Sequence, residues 1–91
     1  MTKNKILVAS LAMDLKRVAI GFYKGSDKTA KRFSEEALKR SDEIDKQKVK
    51  SYLRNFLDKL PNVLNQKDKK KVAEDALMYS TIFQNYALHN L

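Results

Sequence analysis

Val49-Lys50-Ser51-Tyr52-Leu53-Arg54-Asn55-Phe56-Leu57-Asp58-Lys59-Leu60-Pro61 places apolar side chains at positions 49, 52, 53, 56, 57 and 60, in alternating steps of three and one. That spacing collects them on one face of an α-helix and does not match the two-residue period of a strand. Asp45, just upstream, is a residue type that caps helix N-termini, and Pro61 is expected to stop or kink the helix because its ring removes a backbone N–H. A helix with one apolar face needs other apolar faces to cover it.

The flanking segments supply those faces. Between Lys5 and Lys24, Leu7 or Val8, Leu11, Leu15, Val18 and Phe22 recur at helical spacing, and Ile6, Ala9, Ala12, Met13, Ala19, Ile20 and Tyr23 widen the apolar stripe. Only Ser10, Asp14, Arg17, Gly21 and Lys24 remain as a narrow polar strip, so this helix should be central in the fold or contact a second copy. Gly25 ends it, and Ser26 or Asp27 caps a second helix with Ala30, Phe33, Ala37 and Leu38 inward. After the Asn62–Asn65 link, Asp68 can cap a fourth helix with Val72, Ala73, Ala76, Leu77, Ser80, Phe83 and Ala87 inward. No alternating run is bounded by turn residues, so no strand is expected. The pattern predicts an all-α protein, a small antiparallel up-down four-helix bundle forming one domain over residues 1–91. A three-helix bundle with a kinked or merged helix is the other arrangement it allows.

Composition narrows the chemistry. The 91 residues include no Cys and one His, which excludes a disulfide scaffold, cysteine-ligated metal and a histidine metal cluster. The start, basic and then uncharged over Ile6–Met13, imitates a secretory signal, but the run is short and Asp14, Lys16 and Arg17 interrupt it. No stretch approaches the ~20 apolar residues that span a bilayer. A cytoplasmic protein with no membrane role is expected.

Catalytic patterns fail on spacing. Gly25-Ser26-Asp27-Lys28-Thr29 lacks the second glycine and the preceding strand of a phosphate loop, and helix capping explains it better. Asp42, Glu43 and Asp45 lack the ligand spacing of a calcium loop. His89 has no evident nucleophile to activate. A helix-turn-helix over the second and third helices is disfavoured by the length of the second helix and a turn without Gly. A non-enzyme is expected, with no metal and no cofactor.

Charge is the informative remainder. The formal net charge of +8 divides into +6 over residues 1–34, −3 over 35–45, +7 over 46–71 and −2 over 72–91. Three expected helix starts read Asp27-Lys28, Asp45-Lys46 and Asp68-Lys69, the last continuing through Lys70 and Lys71. Cations in a first turn oppose the helix dipole. In solution, flexible lysines can simply point into water; jointly with free backbone N–H groups they can also attract phosphate.

An up-down topology brings Lys24, Lys28, Lys31, Arg32, Lys67, Lys69, Lys70 and Lys71 to one pole, with Lys59, and with Asp27, Asp58 and Asp68 as the acids sharing it. That pole is the candidate site for RNA or DNA backbone, without sequence specificity, with Tyr23 as a candidate stacking residue. The opposite pole joins Ile6–Met13 to the charge-free segment Ala76–Leu91. Ile6, Met13, Met78, Tyr79, Ile82, Phe83 and Tyr86 are the candidate surface for a protein partner or for self-association. The competing expectation is a protein-interaction module, an adaptor or inhibitor, whose lysines meet an acidic protein surface or only confer solubility.

Overall fold

The computed structural model describes residues 3–89 and is a four-helix bundle: α1 (Lys3–Tyr23), α2 (Asp27–Glu43), α3 (Ser51–Leu64) and α4 (Lys69–His89), with a single 3₁₀ turn at Lys46–Lys48 before α3. Its extents are 35 × 21 × 19 Å, and α1 and α4 run the long axis at about 1.5 Å per residue. Hydrogen bonds fix the antiparallel order. Ser80 Oγ donates to the Ala12 carbonyl at 2.7 Å, Arg40 Nε to Asp14 Oδ2 at 2.8 Å, and the Lys50 N–H to Tyr86 Oη at 3.0 Å. The α1 helix therefore lies between α2 and α4, and α3 closes the bundle opposite it.

The polar strip of α1 is not a solvent face. Asp14 is buried against Arg40, and Gly21 lies so close to α2 that a Cβ there would meet the Ala30 backbone nitrogen at 2.9 Å. Small or paired residues let the α1 and α2 backbones approach, which leaves the outer edge of α1 to Ile6, Ala9, Met13, Lys16 and Ile20, all exposed. The Asp14 carboxylate, by its hydrogen bond and charge, raises the Arg40 guanidinium pKa further above its ordinary value, against the opposing pull of desolvation.

The helix ends follow the sequence signals in part. Gly25, at φ +77°, terminates α1: its N–H reaches the Phe22 carbonyl at 3.1 Å, and the Ser26 N–H reaches that of Gly21 at 2.8 Å, a Schellman arrangement. Ser26 caps α2, accepting from the Thr29 N–H. Asp45 caps the 3₁₀ turn through the Gln47 N–H rather than α3, because two extended residues, Val49 and Lys50, intervene. Asn4 holds that junction to the start of α1, exchanging hydrogen bonds with the Asp45 backbone at 3.0 and 3.1 Å. Pro61 neither stops α3 nor separates it from its last turn: the helix continues to Leu64, and the Asn65 N–H closes it on the Pro61 carbonyl. So late in a helix, proline removes one bond and leaves the next turn able to form.

The core divides in two. The larger cluster, around Leu11, Leu15, Leu53, Leu57 and Phe83, fills the half of the bundle nearer the start of α1; a smaller one, Val18, Ala19, Val72 and Ala76, lies under Phe22, Phe33 and Leu64. Edge-to-face ring contacts join α3 to α4, Phe56 with Tyr79 at 5.1 Å and Tyr52 with Tyr86 at 5.8 Å between centroids. They turn Tyr79 inward and leave Leu77, expected inside, 42% exposed. No helix among the described residues is long and apolar enough to cross a membrane.

Candidate nucleic-acid interface

The end of α1, the start of α2, the end of α3 and the start of α4 meet at one pole. A groove of about 380 Å³ there is lined by Phe22 from α1, Asp27, Lys31 and Glu35 from α2, Leu64 from the end of α3, Lys67 from the α3–α4 connection and Lys69 from the start of α4. A second hollow of about 260 Å³ shares Phe22 and Lys69 with it and adds Tyr23 and Lys70. Lys24, in the α1–α2 turn, and Lys28 and Arg32, in the first turns of α2, line neither hollow but belong to the helix ends that meet at this pole. All eight expected cations are exposed, and their common location follows from the antiparallel order.

They are not equivalent. Lys69 pairs with Asp27 across the α2–α4 gap, and Lys71 reaches Asp75 at 3.2 Å along α4. Arg32 lies over the Phe33 ring at 5.7 Å from its centroid, with Arg17 at 5.3 Å from the same centroid. Stacking orients these guanidinium groups and leaves their charge in place. Among the described residues, Lys24, Lys28, Lys31, Lys67 and Lys70 have no carboxylate within 4.0 Å of the ammonium.

The acids also differ from expectation. Asp58 does not share the pole: it pairs with Lys46 at 3.1 Å, because it sits far enough back along α3 to face the 3₁₀ turn. Lys59 lines a separate hollow with Asn62, Val63 and Tyr79 on the α3–α4 side. Asp68 is committed to capping, with its Oδ1 accepting from the Lys70 and Lys71 N–H groups at 3.0 and 3.2 Å. Free backbone donors at the start of α4 are thus not the anion site that the lysine-rich helix starts suggested, because a carboxylate of this chain already fills the place a phosphate would take. The remaining attraction comes from the ammonium groups.

Tyr23 is 57% exposed beside Lys69 and Lys70, so its ring offers an open face. Phe22 was read from sequence only as a core residue and Gln66 was not singled out; Phe22 floors both hollows, and Gln66 Nε2 bridges the Val63 carbonyl and Asp75 Oδ2 at 2.8 and 3.0 Å. Only their position after Val18 and before Asp68, at two helix ends that tertiary packing joins, could have marked them.

The apolar candidates need correction. Tyr79, Phe83 and Tyr86 are 5%, 0% and 2% exposed, and Ile82 packs against the same core, so this part of α4 faces the bundle interior rather than a partner. Ile6 and Met13 are exposed on α1 at 51% and 48%. Met78 is also 51% exposed, but roughly 160° round α4 from Ser80, the residue that touches α1, so it belongs to another side.

Fold and pole together define a small all-α four-helix bundle with a cationic end. Comparison with protein-family models, curated proteins and solved structures finds no match for the chain.

Proposed function

We propose that this chain is a non-enzymatic accessory protein that binds RNA or DNA through the phosphate backbone at its cationic pole and docks a protein through the apolar side chains left exposed along α1. The observation that carries the first half is the gathering of Lys24, Lys28, Lys31, Lys67 and Lys70, none ion-paired among the described residues, around two hollows at one end. Clustered cations gain by releasing the counterions condensed on a polyanion, and that gain requires no base-specific geometry. The exposed Tyr23 ring adds a stacking surface suited to an unpaired base.

Binding of a labelled mixed-sequence oligonucleotide, followed by anisotropy, tests the reading. The native protein should bind at low salt and release at high salt, and Lys28→Glu/Lys67→Glu/Lys70→Glu should bind far more weakly. Equal binding by native and charge-reversed protein would overturn it. A native protein that ignores oligonucleotide, elutes early from heparin and carries no 260 nm absorbance would favour the protein-interaction module, a reading supported by the apolar side chains left exposed on α1.

A further inference from the structure

The outer edge of α1 is apolar where a bundle helix normally meets water. Ile6, Ala9, Met13, Lys16 and Ile20 are all exposed and recur at alternating steps of three and four. That is the 3.5-residue seam along which one helix packs on another. The exposed positions Leu77, Thr81, Gln84 and Leu88 repeat the spacing on α4, with Leu77 and Leu88 42% and 64% exposed.

The two seams face the same way. The Ser80–Ala12 hydrogen bond sets α1 and α4 side by side, and Ala19 packs in one cluster with Val72 and Ala76. At 3.6 residues per turn, the α1 seam lies about 90° round its helix from Ala12 and Ala19, and the α4 seam about 70° round its own from Ser80. Because the helices are antiparallel, both rotations turn toward the same side of the bundle. Three helices in mutual contact need contact directions of this order, so the seams flank a groove shaped for a third helix.

Charge selects the occupant. Lys16 is the one charged residue within the two seams, Lys70 stands near one end of the groove, and Glu74 is the single exposed carboxylate on the outward side of α4. Asp14, the only acid of α1, is buried and held by Arg40. A second copy of this chain would bring the same lysines against these. We infer that the α1–α4 groove receives an amphipathic helix of a partner protein whose apolar seam is flanked by Asp and Glu. This inference rests on the protein-docking half of the proposed function and is independent of the cationic pole.

The probes are two synthetic three-heptad peptides, each with Leu along the seam, one flanked by Glu and one by Lys. Anisotropy gives affinity and amide chemical shifts of the isotope-labelled protein give location. The Glu-flanked peptide should bind at least tenfold tighter than its Lys twin, with shifts along Ile6–Ile20 and Leu77–Leu88. Met13→Glu/Ile20→Glu should lose that binding, and Lys28→Glu/Lys67→Glu should keep it while losing oligonucleotide. Equal binding of both peptides, shifts confined to the pole, or binding that survives Met13→Glu/Ile20→Glu overturns the inference. So does a dimer by sedimentation that Met13→Glu dissociates, because a second copy would then be the occupant.

Discussion

Charge reversal at the pole gives the sharpest test because the salt dependence can be counted from the structure. Six cations, Lys24, Lys28, Lys31, Arg32, Lys67 and Lys70, have no ion-pair partner among the described residues, whereas Lys69 and Lys71 are held by Asp27 and Asp75. If each unpaired cation meets one phosphate, the logarithm of affinity falls against the logarithm of salt with a slope of about −5.4 on duplex and about −4.2 on single strand. Raising salt from 50 to 200 mM then weakens duplex binding about 2,000-fold and single-strand binding about 300-fold. Lys28→Glu/Lys67→Glu/Lys70→Glu leaves three such cations, and the duplex slope should fall to about −2.7. Anisotropy titrations at several salt concentrations, on both proteins, supply the slopes. A native slope near zero, or one that the substitutions leave unchanged, refutes the assignment. A native slope near −7 refutes the narrower claim that ion pairing withholds Lys69 and Lys71 from phosphate.

Other predictions concern what holds the pole in place. Gly21→Ala gains up to about 1 kcal/mol of helix propensity, but its Cβ would meet the Ala30 backbone at 2.9 Å, an overpacking that costs about 1–3 kcal/mol; urea unfolding should show a net loss, and a gain would contradict the close α1–α2 approach. Arg40→Met strips the partner from a carboxylate only 4% exposed and should destabilise by about 3 kcal/mol, more than Asp14→Asn at the other end of the pair. Asp68→Ala removes the α4 cap and should cost about 1 kcal/mol in stability, yet tighten oligonucleotide binding, since it frees the Lys70 and Lys71 N–H groups and removes a negative charge; weaker binding by the folded variant would count against the pole. Burial first, and Asp75 second, raise the Tyr79 pKa above its ordinary value. The folded state therefore binds a proton that the unfolded state has released, so stability is complete below about pH 10 and falls as pH rises beyond it. Tyr79→Phe should blunt that fall in alkaline unfolding followed by circular dichroism.

The helices and their order were legible because they rest on local signals. The 49, 52, 53, 56, 57, 60 spacing, Gly25 after Lys24, Ser26 before α2 and Asp68 before α4 each act within a few residues of themselves. Side-chain destinations were less legible where two faces of a helix are both apolar. On α4, Leu77 and Tyr79 are both plausible core residues by periodicity, and the aromatic rings of α3 decide between them. On α1, the strip containing Asp14 and Gly21 was legible only as polar, and pairing and small size make it the side that α2 covers.

The sequence by itself therefore determined the all-α class, four helices, a cation excess concentrated in two segments, and the lack of residues for cysteine or histidine chemistry. Only the tertiary structure decided which lysines are neutralised, since Lys69 meets Asp27 across 42 positions of chain while Asp58 turns to Lys46. It also decided which apolar residues reach solvent, placing Phe83 inside and Met13 outside. The reason is common to both. Hydrophobic periodicity and capping are properties of one helix, whereas ion pairing and burial depend on the rotation of each helix against its neighbours, which a 3.6-residue repeat leaves open whenever more than one face can be buried.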